Sequence, residues 1–155
     1  MNALIVYDSR SGYTGALAHA IGRGLEGPLE VRVVRVDEAE ARDLTGIDLL
    51  IVGGPTEGHG ATPAMRDWLR TLAPGMLHDV PAAAFDTRLH WPKLLSGSAA
   101  DEIAVRLRDA GARLLLEPQS FYVEGRETAG PVAEELEHAK GWANLVFDGL
   151  PMPVG

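Results

Sequence analysis

Two stretches of the chain are apolar at nearly every position, Ala3–Tyr7 "ALIVY" and Asp48–Gly54 "DLLIVGG". A strand with one face in water alternates apolar and polar residues, whereas a strand covered on both faces does not. These runs therefore belong inside a sheet with helices above and below it. The intervening sequence supplies the helices. Leu17, Ile21 and Leu25 recur at helical spacing with Ala18 beside them, until Gly27-Pro28 stops the pattern. Glu30–Val36, "EVRVVRV", reads as a strand nearer an edge, because it keeps polar positions, and Asp37–Asp43 reads as an exposed acidic turn.

After the second buried run, Thr62-Pro63 marks a helix start with Thr as N-cap and Pro at the first helical position, and Met65, Trp68, Leu69 and Leu72 form its inner face. Pro81–Phe85 is predicted as a short central strand. Ser98 caps a further helix, with Asp101 and Glu102 in its first turn, Ile103 and Leu107 facing inward, and Gly111 ending it. Arg113–Leu116 is predicted as a fifth strand, resuming at Phe121–Val123, and a last helix runs from Gly130-Pro131 to about Phe147. Strand and helix alternate throughout, which is the pattern of an α/β doubly wound sheet. The 155 residues suit one domain, residues 1–150, with a short C-terminal tail at 151–155.

Composition removes several chemistries. There is no cysteine, which excludes disulfides, thiolate metal sites and a cysteine nucleophile. No two histidines have metal-ligand spacing. The net charge of -8 opposes phosphate backbones, so nucleic acid is not an expected partner; it favours encounters with basic proteins. No apolar run reaches the roughly 18 residues that span a bilayer, and the N-terminus lacks a signal-peptide pattern. A cytoplasmic protein without membrane insertion is expected.

Three unusual loops follow strands: Ser9–Thr14, Pro55–Ala61 and Asp86–Ser98. In open α/β sheets, ligands bind at the carboxyl ends of strands, so the three loops should meet at one rim. The first, within "YDSRSGYTG", offers the hydroxyls of Ser9, Ser11 and Thr14, while Gly12 and Gly15 let the backbone turn and approach a ligand closely. With the amides of Arg10 to Thr14 and a helix N-terminus behind them, the stretch suits a phosphate; a plain helix cap is the alternative.

"SRSGYT" resembles the phosphate loop of the flavodoxins: hydroxyl residue, any residue, hydroxyl residue, Gly, any residue, Thr. "GGPTEGHGATP" is similar to that family's second loop, and "FDTR…LSGSAADEIAVRL" to its third loop and following helix. "LLLEPQSFYV" carries no long insertion, as in the short-chain type. The resemblance implies a three-layer α/β/α fold with a five-stranded parallel sheet of order 2-1-3-4-5. It implies non-covalent FMN and electron transfer between redox partner proteins, for which the acidic balance suggests basic docking surfaces. By the same resemblance, Ser9, Arg10, Ser11, Gly12, Tyr13 and Thr14 hold the phosphate. Pro55 and Thr56 lie near the phosphate or ribityl chain. Glu57, Gly58 and His59 flank one side of the ring, and Asp86, Thr87, Arg88 and Trp91 supply the other. The second loop has no aromatic besides His59, so Trp91 is the better stacking candidate. Gly58, tolerant of positive φ, could turn its peptide to accept a hydrogen bond from the ring. Glu57, Asp86 and Glu124 would form an acidic rim that disfavours negative charge on the ring.

Two alternatives stay open. One is an FMN enzyme of quinone-reductase or protoporphyrinogen-oxidase type; no residue offers itself as a catalytic acid or base. The other is a flavin-free binding module. A receiver domain would need an Asp ending the third strand, where the chain has Gly53-Gly54-Pro55. A low-molecular-weight phosphatase would need a cysteine, and Walker-type nucleotide binding a Gly-Lys-Ser/Thr.

Overall fold

The structure is a computed structural model that describes residues 1–89, 92–123, 131 and 133–151. Its strands are β1 (Asn2–Tyr7), β2 (Glu30–Arg35), β3 (Leu49–Pro55), β4 (Pro81–Leu89), β5 (Arg113–Leu114) and β6 (Gln119–Val123). They pair in parallel in the order β2-β1-β3-β4-β5, with β6 also alongside β4. The helices are α1 (Tyr13–Leu25), α2 (Pro63–Arg70), the one-turn α3 (Lys93–Ser96), α4 (Ala99–Asp109) and α5 (Ala133–Asp148).

Side chains alternate across each strand, and in β1, β3 and β4 both sets are buried, whereas the edge strand β2 stays half-buried to exposed. Ile5, Ile51, Ala83 and Phe85 pack with Leu17, Ile21, Phe121 and Trp142 under α1 and α5. Leu4, Val6, Leu50, Val52 and Ala84 pack with Met65, Leu69, Ile103 and Leu107 under α2 and α4. The result is the three-layer arrangement that the doubly apolar runs require. Phe85, Phe121 and Trp142 meet edge-on with ring centroids 6.0 Å apart, a geometry that aromatic quadrupoles favour. Trp68 and Trp142 are both buried packing residues.

The helix starts follow their sequence signals. Thr62 accepts the Met65 N–H with Pro63 at the first helical position, and Ser98 accepts the Asp101 N–H. α1 differs: its N-cap is Gly12, at φ +90°, which has no side chain to offer, and the Gly15 N–H in its first turn is accepted instead by the hydroxyl of Ser9. The helix end facing the first loop is thus closed from the preceding loop and not by its own N-cap residue.

One expectation is corrected. β4 does not stop at Phe85 but continues through Asp86, Thr87 and Arg88 to Leu89. The apolar run ends there, yet the polar residues extend the strand because β6 lies alongside, from Phe85 opposite Gln119 to Leu89 opposite Val123. The fifth strand is interrupted and resumes, as expected, though its first piece is shorter than Arg113–Leu116. β5 covers two residues beside Pro81 and Ala82, and pairing resumes in β6. The last helix begins at Ala133 and ends at Asp148.

Candidate functional site

The C-terminal ends of β1, β3 and β4 bring the three loops to one rim, tied by hydrogen bonds between loops far apart in sequence. Asp8 N–H donates to Gly53 O (3.0 Å), and Thr56 N–H to Thr87 O (2.8 Å). Thr14 Oγ1 and Thr87 Oγ1 share a buried hydrogen bond of 2.9 Å. Thr56 Oγ1 accepts the Ala99 N–H at 3.0 Å, joining the second loop to α4.

The first loop is built from behind by Asp8. One carboxylate oxygen accepts the Ser9 N–H (2.8 Å), and the other accepts the hydroxyl of Thr62, the N-cap of α2. Ser9 is buried, and its Oγ accepts the N–H groups of Gly12 (3.1 Å) and Gly15 (3.2 Å). A hydroxyl has two acceptor lone pairs and one proton. Both lone pairs of Ser9 are used, and among the described residues no group accepts the proton. A donor therefore remains at a helix N-terminus whose dipole favours an anion. A Cβ built on Gly12 would meet nothing within 4 Å, so glycine is required there by its positive φ and not by crowding. The loop keeps an open mouth. This fits a phosphate group.

The other predicted phosphate residues divide. Arg10 and Ser11 are exposed, and Arg10 Nε reaches Glu57 at 3.0 Å, so this ion pair spans from the first loop to the second. Tyr13 turns its ring into the core and donates its hydroxyl to the Tyr122 carbonyl (3.0 Å). Thr14 is buried against Thr87.

The second loop is a tight hairpin. Glu57 and Gly60 exchange both backbone hydrogen bonds, at 2.8 and 3.0 Å, around Gly58 (φ +53°) and His59 (φ +71°). Left-handed conformation at both central residues is the two-residue turn that fits strand twist, and Gly in the first position is favourable whereas His in the second is strained. Pro55 is buried as the last residue of β3. Beneath the hairpin, Arg66 grips Glu102 through two hydrogen bonds of 2.7 and 2.9 Å, and Glu102 accepts the Ala61 N–H at 3.3 Å. The Arg66 hydrogen bond holds the Glu102 carboxyl below its ordinary range, against an opposing push from burial, with the Ala61 amide reinforcing the drop.

The third segment departs most from expectation. Asp86, placed on the acidic rim by sequence, is fully buried. Its Oδ2 accepts the Ser98 hydroxyl (2.6 Å) and the Ala100 N–H (3.0 Å), which anchors α4, and its Oδ1 has no partner. Glu57, the other described member of that rim, stands on the hairpin in its ion pair with Arg10. Thr87 serves Thr14. Arg88 is buried, with Nε on Ser120 Oγ (2.9 Å), Nη1 on Ser96 Oγ (3.1 Å) and Nη2 on the Tyr122 hydroxyl (3.2 Å), its guanidinium 5.1 Å from the Tyr122 ring centroid. Trp91, with His90 and Glu124, lies outside the described residues.

Thr56, Gly58, His59, Arg88, Leu89, Leu95 and Ser96 line a hollow of about 190 Å³ between the second and third loops. Two other hollows, between α2 and α4 and beside β1 and β2, are not lined by these loops. Sequence reasoning did not single out Leu89, Leu95 or Ser96. Nor did it find Asp8 as the anchor of the first loop, or Gly97. At φ +72°, Gly97 runs so close to His59 that a Cβ would sit 2.0 Å from the His59 carbonyl oxygen. The glycine between two serines in "SGS" was the available signal for that close approach.

Comparisons with known proteins agree with this architecture. The flavodoxin family profile matches residues 5–142. A putative diflavin flavoprotein from Nostoc is 32% identical over 119 residues, 74% of this chain but 20% of the relative. A flavodoxin from Aquifex aeolicus is 45% identical over 56 residues, 34% of this chain and 30% of that one. The chain thus spans a minor part of both curated relatives. Among solved structures, oxidised flavodoxin 2 from Bacillus cereus superposes with a TM-score of 0.80 at 23% identity, covering 96% of this chain and 99% of that one. An archaeal flavodoxin superposes with a TM-score of 0.76 at 22% identity, covering 96% and 99%. Among the described residues, no helix is long and apolar enough to cross a membrane. With the family profile running from the first strand into the last helix, the chain belongs to the flavodoxin family, whose members bind FMN and transfer electrons.

Proposed function

We propose that this chain binds FMN across its three rim loops and carries electrons between redox proteins. The observation that carries the reading is the Ser9 hydroxyl, buried, accepting two amides at the N-terminus of α1 and with no acceptor for its proton among the described residues. FMN would supply the redox chemistry, taking up electrons and a proton at its ring.

The chain's own residues bind and orient it. Ser9, Ser11, Thr14 and the amides of Arg10 to Thr14 are the phosphate's donors. Arg10, through Glu57, ties the phosphate loop to the ring-side hairpin. Pro55 and Thr56 flank the ribityl side, Glu57 to His59 one side of the ring and the third segment the other. Asp86 and Thr87 act from behind, the first by fixing α4 and the second by fixing Thr14; Arg88 lines the hollow itself. Trp91 is our assignment for stacking.

The hairpin has a useful property. Turning over the peptide between Gly58 and His59 converts this turn into its primed partner type, in which the first residue keeps positive φ and the second returns to negative φ. His59 would lose its strain, of order 1 kcal/mol, and the Gly58 carbonyl would be turned over and able to accept a hydrogen bond from a bound ring.

The charge of -8 favours basic partners. The test is electron transfer from the reduced, FMN-loaded protein to a basic haem acceptor across a range of ionic strength. The expected rate falls steeply with salt, with negligible steady-state turnover of nicotinamide cofactor and quinone. Rapid quinone turnover would transfer the protein to the reductase class.

A further inference from the structure

We infer a second anion site, in the hollow between α2 and α4: the guanidinium groups of Arg66, Arg70 and Arg106 line it together and take a phosphate-type anion, inorganic phosphate or a phosphate monoester. The inference is independent of the FMN reading, since none of these residues belongs to the three rim loops.

The hollow, about 240 Å³, is lined by Arg66, Leu69 and Arg70 of α2 and by Glu102 and Arg106 of α4. Each helix spaces its charged pair one turn apart, Arg66 with Arg70 and Glu102 with Arg106, which puts each pair on one helix face. Three of the chain's 14 basic side chains thus line one small concavity, in a protein with 22 acidic ones. Glu102 balances one of them. Arg66 grips it through Nε and Nη2, which uses two of five N–H donors, and among the described residues the other three have no hydrogen-bond partner. Arg70 meets Asp67 at 2.9 Å in an exposed pair, a kind that contributes little and opens readily. Arg106 has no ion-pair partner among the described residues. Its charge still reaches the hollow: the Glu102 carboxyl, held down chiefly by its hydrogen bond to Arg66, is lowered further by Arg106.

Arg70 and Arg106 stand in the last turns of their helices, where a cation complements the dipole. That role is met whichever way each side chain points. It does not account for both of them sharing one concavity with a third guanidinium, where like charges repel. An anion relieves that repulsion. The arginine fork matches phosphate oxygens two at a time, through hydrogen bonds charged on both sides. Arg66 also connects the hollow with the second loop, because the Glu102 it grips accepts the Ala61 N–H.

The experiment is a titration of the FMN-free full chain with inorganic phosphate and, in parallel, glycerol phosphate, at neutral pH and constant ionic strength, followed residue by residue by NMR. The side-chain Nε–H signals of Arg66, Arg70 and Arg106 and the Ala61 amide are expected to shift along one saturating curve, separate from that of the first loop. Saturation by either probe supports the site, and the tighter one distinguishes free phosphate from its monoester. Arg70→Gln and Arg106→Gln, both at exposed positions, should each weaken this curve about tenfold, as loss of a charge-assisted hydrogen bond does, and leave the first-loop curve in place. Arg106→Lys, which keeps the charge, should lose less. Arg66 stays intact because it also holds Glu102. Shifts that rise without saturating, shifts shared equally by the exposed Arg23, Arg108 and Arg113, or a curve unmoved by both glutamine variants would overturn the inference. So would acetate bound as tightly as phosphate. Each of these failures leaves FMN binding at the rim untouched.

Discussion

The loop after β1 and the segment at the end of β4 lie on the same rim and carry a similar density of polar side chains, yet they are built in opposite ways. In the first loop, structural work is done from outside the mouth. Asp8 and Thr62 hold its base, and Ser9 accepts two amides at the start of α1 while its own proton has no acceptor among the described residues. In the second region, Asp86, Thr87 and Arg88 are committed to Ser98, Thr14 and the Ser96–Ser120–Tyr122 set. Asp8 and Asp86 make the contrast compact. Each accepts the hydroxyl that caps a helix on the same side of the sheet, with Gly54 between them in the register. Asp8 also shapes a loop, whereas Asp86 fixes a helix. A polar cluster at a rim therefore offers hydrogen bonds to a ligand where its valences remain open, and shapes the site from behind where they are taken up.

This difference can be broken by substitution. Asp86→Ala removes the acceptor of a buried hydroxyl and a buried N–H, so the largest loss of stability is expected here, about 2–3 kcal/mol. Urea unfolding of the FMN-free protein measures it, and the preference for FMN over riboflavin should survive. Ser9→Ala should do the reverse. It costs about 1 kcal/mol of stability, but FMN affinity should drop by on the order of tenfold or more while riboflavin affinity is unchanged; fluorescence titration with both flavins reads the split.

Glu102→Gln probes the support beneath the second loop. The folded carboxyl is held below its ordinary range, chiefly by Arg66, so its contribution is present above the unfolded pKa and is lost as pH falls through the folded one. The variant should be less stable at neutral pH, by about 1 kcal/mol for a half-exposed pair, with the difference from wild type vanishing in acid. Thermal unfolding across pH 3–7 would show whether the two curves converge. The smallest effect belongs to Glu57→Gln, which opens the exposed pair with Arg10: within about 0.5 kcal/mol in stability, with a faster, less salt-dependent FMN off-rate in stopped flow.

The same contrast explains what the sequence disclosed. The doubly buried strands, the Thr62 and Ser98 caps and the glycine- and hydroxyl-rich first loop are local patterns, and each was legible. Asp86 to Arg88 were misplaced in a loop because their partners lie far along the chain, at Ser98, Thr14 and Ser120, and no local pattern announces them. Asp8 was passed over for the same reason, since its significance depends on Thr62.

The central claim is that the first loop recognises a phosphate. Calorimetric titration of the FMN-free protein with FMN, riboflavin and inorganic phosphate tests it directly. The account predicts FMN bound about a hundredfold or more tightly than riboflavin, with phosphate competing against FMN alone. Equal affinity for the two flavins, or a chain that stays colourless with FMN at micromolar concentration, would contradict it.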